Sequence, residues 1–181
     1  MNALGAIYEL QLDIINESID VVSILRKAHL IASKLDLTDF DRWIKNELNG
    51  YDNYNDIPNY RIVYGEIKAK DPYGRNIPVT LSSSWEKIKQ RKLFNCISEI
   101  IDLWNGKNGD VIIGFPSEIC EEICADYGYD LPCYLAIGKQ SLKSIIEKVK
   151  NTVLDWCIQL EKYVINGKEF TFNEHEKKIA K

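Results

Sequence analysis

Histidine is scarce in this chain, His29 and His175 being the only two. A serine or cysteine nucleophile needs a general base beside it. His29 falls near the apolar side of a helical stretch and His175 sits between Glu174 and Glu176. Neither has a nucleophile in its sequence surroundings, so one packed and one exposed histidine are the preferred readings. Glycine-rich phosphate loops are missing too. Neither G-x-x-x-x-G-K-[ST] nor G-x-G-x-x-G occurs, which leaves nucleotide binding of the familiar kinds, and with it any cofactor, unsupported. Positive charge is not in excess. With 23 Lys and Arg against 27 Asp and Glu the net charge is −4, so no global field draws the chain to nucleic acid or an anionic membrane. No run approaches the ~20 apolar residues of a membrane-spanning helix. Glu9 and Asp13 interrupt the first apolar stretch and no basic segment precedes it, so no signal peptide is expected. The five cysteines are an odd set without framework spacing. They read as free thiols of a cytoplasmic protein, packed as small hydrophobes.

What is present is an ordinary globular composition. An apolar fraction of 45% and 181 residues suit one α+β domain spanning 1–181, without a disulfide or metal. Apolar residues recur at helical spacing from Leu4 to Ile15, and again from about Ile19 through Val22, Leu25, Ala28, His29 and Ala32 to Leu35. Thr38 reads as the N-cap of a third helix with Asp41 completing a capping pair, and Gly50 as its stop. The spacing predicts an N-terminal helical segment.

Tyr51–Pro58 is a polar linker. Tyr60–Lys70 and Ile77–Leu81 read as strands joined through Asp71-Pro72-Tyr73-Gly74, a turn by its chemistry, which makes 60–81 a β-hairpin. Helical spacing returns over Trp85–Trp104. Val111–Phe115 and Leu131–Ile137 complete a small sheet, with a short helix over Ser117–Tyr127. Gln140–Tyr163 carries the longest apolar stripe, the long C-terminal helix. Asn173 and Glu176 form a capping-box pair for a final short helix.

Four constellations could carry chemistry. Arg26 and His29 share a helix, but the bland reading, an exposed arginine beside a core-facing position, is preferred. Glu66-Ile67-Lys68 has the Glu-x-Lys form of restriction-type nucleases, and on a strand its two charged residues share a face that could hold Mg²⁺ and a water. That chemistry needs a further carboxylate from an adjacent strand, and Asp56 and Asp71 lie in a linker and a turn. An exposed charge pair explains the motif without catalysis, so no catalytic residue is assigned and Glu66 and Lys68 stay the alternative. Cys120, Cys124 and Cys133 lack the fourth ligand and paired knuckle of a zinc module, and buried thiols are preferred. Finally, Tyr60, Arg61, Tyr64, Tyr73 and Arg75 interleave aromatic rings with cations. Such residues stack single-stranded bases or form protein interfaces. Half-buried residues at a sheet edge explain them equally well, and the acidic balance of the chain favours a protein interface over nucleic acid.

Three stretches together resemble the AbiTii family of abortive-infection proteins. The first is Ile24-Leu25-Arg26-Lys27-Ala28 with Trp43-Ile44-Lys45-Asn46-Glu47-Leu48-Asn49-Gly50-Tyr51. The second is Pro58-Asn59-Tyr60-Arg61, then Pro72-Tyr73-Gly74 and Pro78-Val79. The third joins Val149-Lys150-Asn151, Leu154-Asp155-Trp156 and Leu160-Glu161 to Ile165-Asn166-Gly167 and Phe170-Thr171-Phe172 with Glu174. Lys150 and Val164 depart from the arginine and glycine usual in the family. The resemblance implies a role in antiphage defence and supplies no catalytic set. The missing catalytic constellation and the aromatics around the hairpin make an interaction or regulatory module the expectation, with a partner protein or phage component as ligand, a second copy of the chain included, and the composition gives no reason to expect a membrane.

Overall fold

A computed structural model of the chain describes residues 5–79, 83–107, 109–125, 131–163, 165–168 and 170–181. Its helices are α1 (Ala6–Ile15), α2 (Val21–Lys34), α3 (Thr38–Asn49), α4 (Ile97–Asn105), α5 (Ser117–Cys124), α6 (Lys139–Lys162) and α7 (Glu174–Ala180). Its strands are β1 (Ile62–Tyr64), β2 (Glu66–Lys70), β3 (Asn76–Pro78), β4 (Gln90–Lys92), β5 (Val111–Gly114) and β6 (Cys133–Ile137). The architecture is α+β, as the apolar periodicities predict. Two compact units divide it: one holds residues 1–52, 95–101 and 144–181, the other residues 53–94 and 102–143.

The first unit is helical. α2 packs against α1 and α3, and Ile7, Leu10, Ile24, Leu25, Ala28, Ile31 and Ile44 are buried along them. Ile145, Val149, Val153, Cys157 and Leu160 are the buried stripe of α6, repeating at the three- and four-residue steps of a helix with one apolar side. Lys27 bridges Glu9 and Asp13 at 3.4 and 2.8 Å, tying α2 to α1. Phe40 of α3 stacks between Trp43 and Trp156, with centroids 5.1 and 4.3 Å away. Asp20 caps α2 by accepting from the Ser23 amide, and Asn173 with Glu176 forms the expected capping box on α7. Gly50 ends α3 at φ 94°. Thr38 differs from its expected place: it is the first helical residue, and Leu37 occupies the cap without a side-chain capping bond.

The second unit carries two antiparallel sheets, β1–β4 and β3–β2–β6–β5. β6 is central in the larger and buried along its whole length, whereas β2 alternates, with Ile67 and Ala69 inside and Glu66 and Lys70 outside. The single strand expected over Tyr60–Lys70 is broken in two. Residues 59–61 form a 3-10 turn, Ile62–Tyr64 pairs with Gln90–Lys92, and only Glu66–Lys70 forms a hairpin, with Asn76–Pro78. Gly65 stands at the break, where a Cβ would lie 2.6 Å from the Ala136 carbonyl oxygen. The backbone there passes too close to β6 for any side chain.

The helix expected over Trp85–Trp104 is likewise shortened. Residues 83–89 are 3-10, Gln90–Lys92 is β4, and α4 begins only at Ile97, where Glu99 accepts from the Cys96 amide. Pairing with β1 overrides local propensity over 90–92. Leu4, Leu81 and Tyr127, which bound three of the expected elements, lie outside the described residues.

Candidate functional site

The β2–β3 hairpin closes through five residues organised by one carboxylate. Asp71 Oδ1 accepts from the amides of Tyr73 and Arg75 at 2.9 and 2.8 Å, and Asp71 Oδ2 from Arg75 Nε at 2.7 Å. Gly74 adopts φ 79°, which favours glycine. Desolvation pushes the Asp71 carboxyl up, but the Arg75 amide and guanidinium and the Tyr73 amide outweigh it and hold the group below its ordinary value. The turn therefore displays Tyr73, 85% exposed, with the Arg75 guanidinium 5.4 Å from its ring centre.

The other three residues of the expected interface are placed differently. Tyr64 is 66% exposed on β1, and Tyr60 is half-buried. Arg61 is wholly buried and donates from Nη1 to the Leu93 carbonyl at 3.4 Å, so its guanidinium is not presented at the surface. Tyr51, which the sequence groups with the linker aromatics, is also buried, its hydroxyl donating to Glu47 Oε1 at 2.6 Å. Of these aromatic and cationic residues, Tyr64, Tyr73 and Arg75 are exposed and Tyr51 and Arg61 are not.

The larger sheet has a second feature, on the face that carries Glu66 and Lys68. Lys68 Nζ lies 3.5 Å from Glu66 Oε2 and 3.6 Å from Asp110 Oδ2. A cavity of about 610 Å³ opens there, lined by Lys68, Asn76, Asp102, Asp110, Ile112 and Tyr134 among others. Tyr134 is the cross-strand neighbour of Lys68. It is 6% exposed, and its hydroxyl has no hydrogen-bond partner among the described residues.

Asp110 is the carboxylate beside Lys68 that the sequence did not single out. Asp110 directly precedes β5, on the parity of Ile112, which pairs with Ala136 as Glu66 does from the other side. That parity was available in the sequence, but the strand order that brings β5 within reach of β2 was not. Asp56 and Asp71 lie in a 3-10 turn and the hairpin turn. Among the described residues no three histidine, cysteine, aspartate or glutamate side chains are placed to hold a metal by themselves.

Cys120, Cys124, Cys133 and Cys157 are buried free thiols. Cys124 Sγ and Cys133 Sγ are 3.0 Å apart, and the Cys133 amide donates to Cys120 Sγ at 3.1 Å. Burial first, and the neighbouring Cys124 and Cys120 thiols second, push the Cys133 thiol far up, while burial pushes Cys157 up to about 12. Both are therefore poor nucleophiles at neutral pH. His29 is engaged by Asp41, Nδ1 to Oδ1 at 2.5 Å, and His175 is exposed on α7.

The fold and these sites define a small α+β protein with an open sheet face and a pre-organised turn. The AbiTii family model matches residues 6–181. The chain belongs to the AbiTii family, and membership implies the antiphage role, abortive infection, for which that family is named. No curated protein and no solved structure matches the chain. No helix among the described residues is long and apolar enough to cross a membrane.

Proposed function

We propose that the chain serves abortive infection as an interaction or regulatory module, recognising a partner protein or phage component through the tip of the β2–β3 hairpin. One observation carries this reading: Asp71 locks the turn that displays Tyr73 and Arg75. Tyrosine and arginine dominate binding energy at protein interfaces, and a contact already held in its bound shape loses less entropy on association. Phage challenge of cells carrying the intact protein or a Tyr73→Ala/Arg75→Ala double variant tests it. Lost protection from a variant that melts normally is the expected outcome. Full protection by that variant, with no change in any complex recovered from infected cells or in the light-scattering mass, refutes it.

A second reading is favoured by a specific arrangement, the carboxylates of Glu66 and Asp110 on either side of the Lys68 amine. It makes the chain a metal-dependent nuclease in which a divalent ion activates water and the amine faces the phosphate. Incubation with RNA and DNA in Mg²⁺ or Mn²⁺ checks it, and cleavage that survives Glu66→Ala and Asp110→Ala would belong to a contaminant.

A further inference from the structure

We propose that the cavity over Lys68 binds a phosphate ester together with a divalent cation, the cation on Glu66 and Asp110 and the phosphate on Lys68 and Tyr134. This shares the residues of the nuclease reading but asks for binding alone.

Glu66 and Asp110 both approach the Lys68 amine, so their nearest oxygens are no more than 7.1 Å apart, the sum of the 3.5 and 3.6 Å distances. Neither distance is that of a tight charged hydrogen bond, which falls near 2.8 Å. The amine is thus held loosely, in a position that a smaller, doubly charged ion would fill with a larger electrostatic gain. Glu66 and Asp110 are 82% and 47% exposed at their side chains, free to turn toward such an ion. Two carboxylates do not complete an octahedral Mg²⁺ shell, and ions of this kind usually take their other ligands from water and a substrate phosphate.

Tyr134 gives an independent reason to expect a ligand. A buried hydroxyl without a partner forgoes a hydrogen bond it would have made to water, and such groups call for an explanation. This one belongs to a residue that lines the same cavity, directly across from Lys68. A phosphate oxygen accepting from the hydroxyl and from the amine satisfies both. The cavity volume of about 610 Å³ lies in the range of small-molecule sites. Without the cation, Asp102 and Asp110 of the lining, with Glu66 3.5 Å from the Lys68 amine, set negative charge against an anion at Lys68. Phosphate binding must therefore depend on the metal.

Uptake of Mn²⁺ by the intact chain, followed by the electron paramagnetic resonance of the free ion, is the test. It is run alone, with adenosine monophosphate, and with a short single-stranded oligonucleotide to separate a free nucleotide from a nucleic-acid backbone. Mn²⁺ uptake should be lost in Glu66→Gln/Asp110→Asn. Lys68→Met should keep or tighten the metal while losing the phosphate ligand, a split that a merely structural lysine would not produce. Tyr134→Phe should weaken the phosphate ligand alone. Phosphate binding that needs no metal, equal Mn²⁺ uptake by the double variant, or no uptake with either ligand overturns the proposal. Metal-dependent binding of the oligonucleotide without cleavage supports this site and refutes the nuclease reading.

Discussion

Replacing Tyr51 by phenylalanine removes one oxygen atom from the interior of the helical unit and leaves the ring in place. That oxygen donates to Glu47 Oε1 at 2.6 Å, with Tyr51 5% and Glu47 0% exposed. A buried hydrogen bond to a carboxylate contributes about 1.5–3 kcal/mol, more than a neutral pair, because the acceptor left behind has no water to replace the donor. For a chain of this length each kcal/mol lowers the melting temperature by about 2–4 °C, so a fall of about 3–12 °C is expected. Thermal unfolding followed by circular dichroism measures it, with Tyr73→Phe as the control. Tyr73 is 85% exposed, and its hydroxyl should be worth less than about 0.5 kcal/mol. A double-mutant cycle with Glu47→Gln isolates the pair from whatever else Glu47 touches. If Tyr51→Phe melts with the control, or the cycle returns no coupling, the assignment of Tyr51 as the hydrogen-bond donor that holds a buried carboxylate at the end of α3 is refuted.

Three further outcomes follow from the same geometry. Burial pushes the Asp41 carboxyl up, but the ammonium of Lys45 and the ring of His29 more than offset it and set the group below its ordinary 3.8. A depressed carboxyl stabilises the fold above its unfolded value and loses that contribution as pH falls through the folded one; the stability gap between wild type and Asp41→Asn should be full near neutrality and close below pH 3.8 in urea titrations. Gly167→Ala should cost at least about 1–2 kcal/mol in chemical denaturation, because Gly167 sits at φ 58° and an added Cβ would strike the Phe172 ring. Iodoacetamide at neutral pH should label Cys96, the partly exposed thiol, well before Cys133 or Cys157, and rapid labelling of Cys133 in the folded protein would contradict its raised pKa.

The helices were legible because their signals are local. The stripe from Leu142 to Leu160, the Asn173–Glu176 capping pair and the Gly50 stop each depend on residues within a few positions of one another. The strands were legible only where pairing is local too. Asp71 to Arg75 makes a turn whatever surrounds it, and the hairpin β2–β3 follows. Gln90-Arg91-Lys92 has no apolar alternation and becomes a strand only because Ile62–Tyr64 lies beside it, a pairing that no window of sequence contains. Buried charge fails for a related reason. Arg61 and Glu47 are read as surface residues by type, and each is wholly buried, which depends on surroundings assembled from distant segments. Asp110 reached the Lys68 site by the same route, through a strand order rather than a motif.

Glu66 and the hairpin turn lie at opposite ends of one strand, which keeps the carboxylate substitutions apart from those at Tyr73 and Arg75. β2 begins at Glu66 and delivers the chain to Asp71 after Lys70. At about 3.3 Å per residue, the four steps from Glu66 to Lys70 place Glu66 about 13 Å from the start of the turn, with Lys68 midway. Substitutions farther apart than about 7–10 Å with no shared partner act independently. Asp71 bonds within the turn, and the Lys68 amine pairs with Glu66 and Asp110. The changes at Glu66 and Asp110 can therefore be made apart from those at Tyr73 and Arg75, and the variant carrying both sets reports whether they serve one process. If Glu66→Gln/Asp110→Asn and Tyr73→Ala/Arg75→Ala each abolish protection against phage, the hairpin couples a bound ligand to a partner contact, because neither end suffices. If one set abolishes protection and the other leaves it intact, function resides at that end alone, and the remaining constellation belongs to the fold.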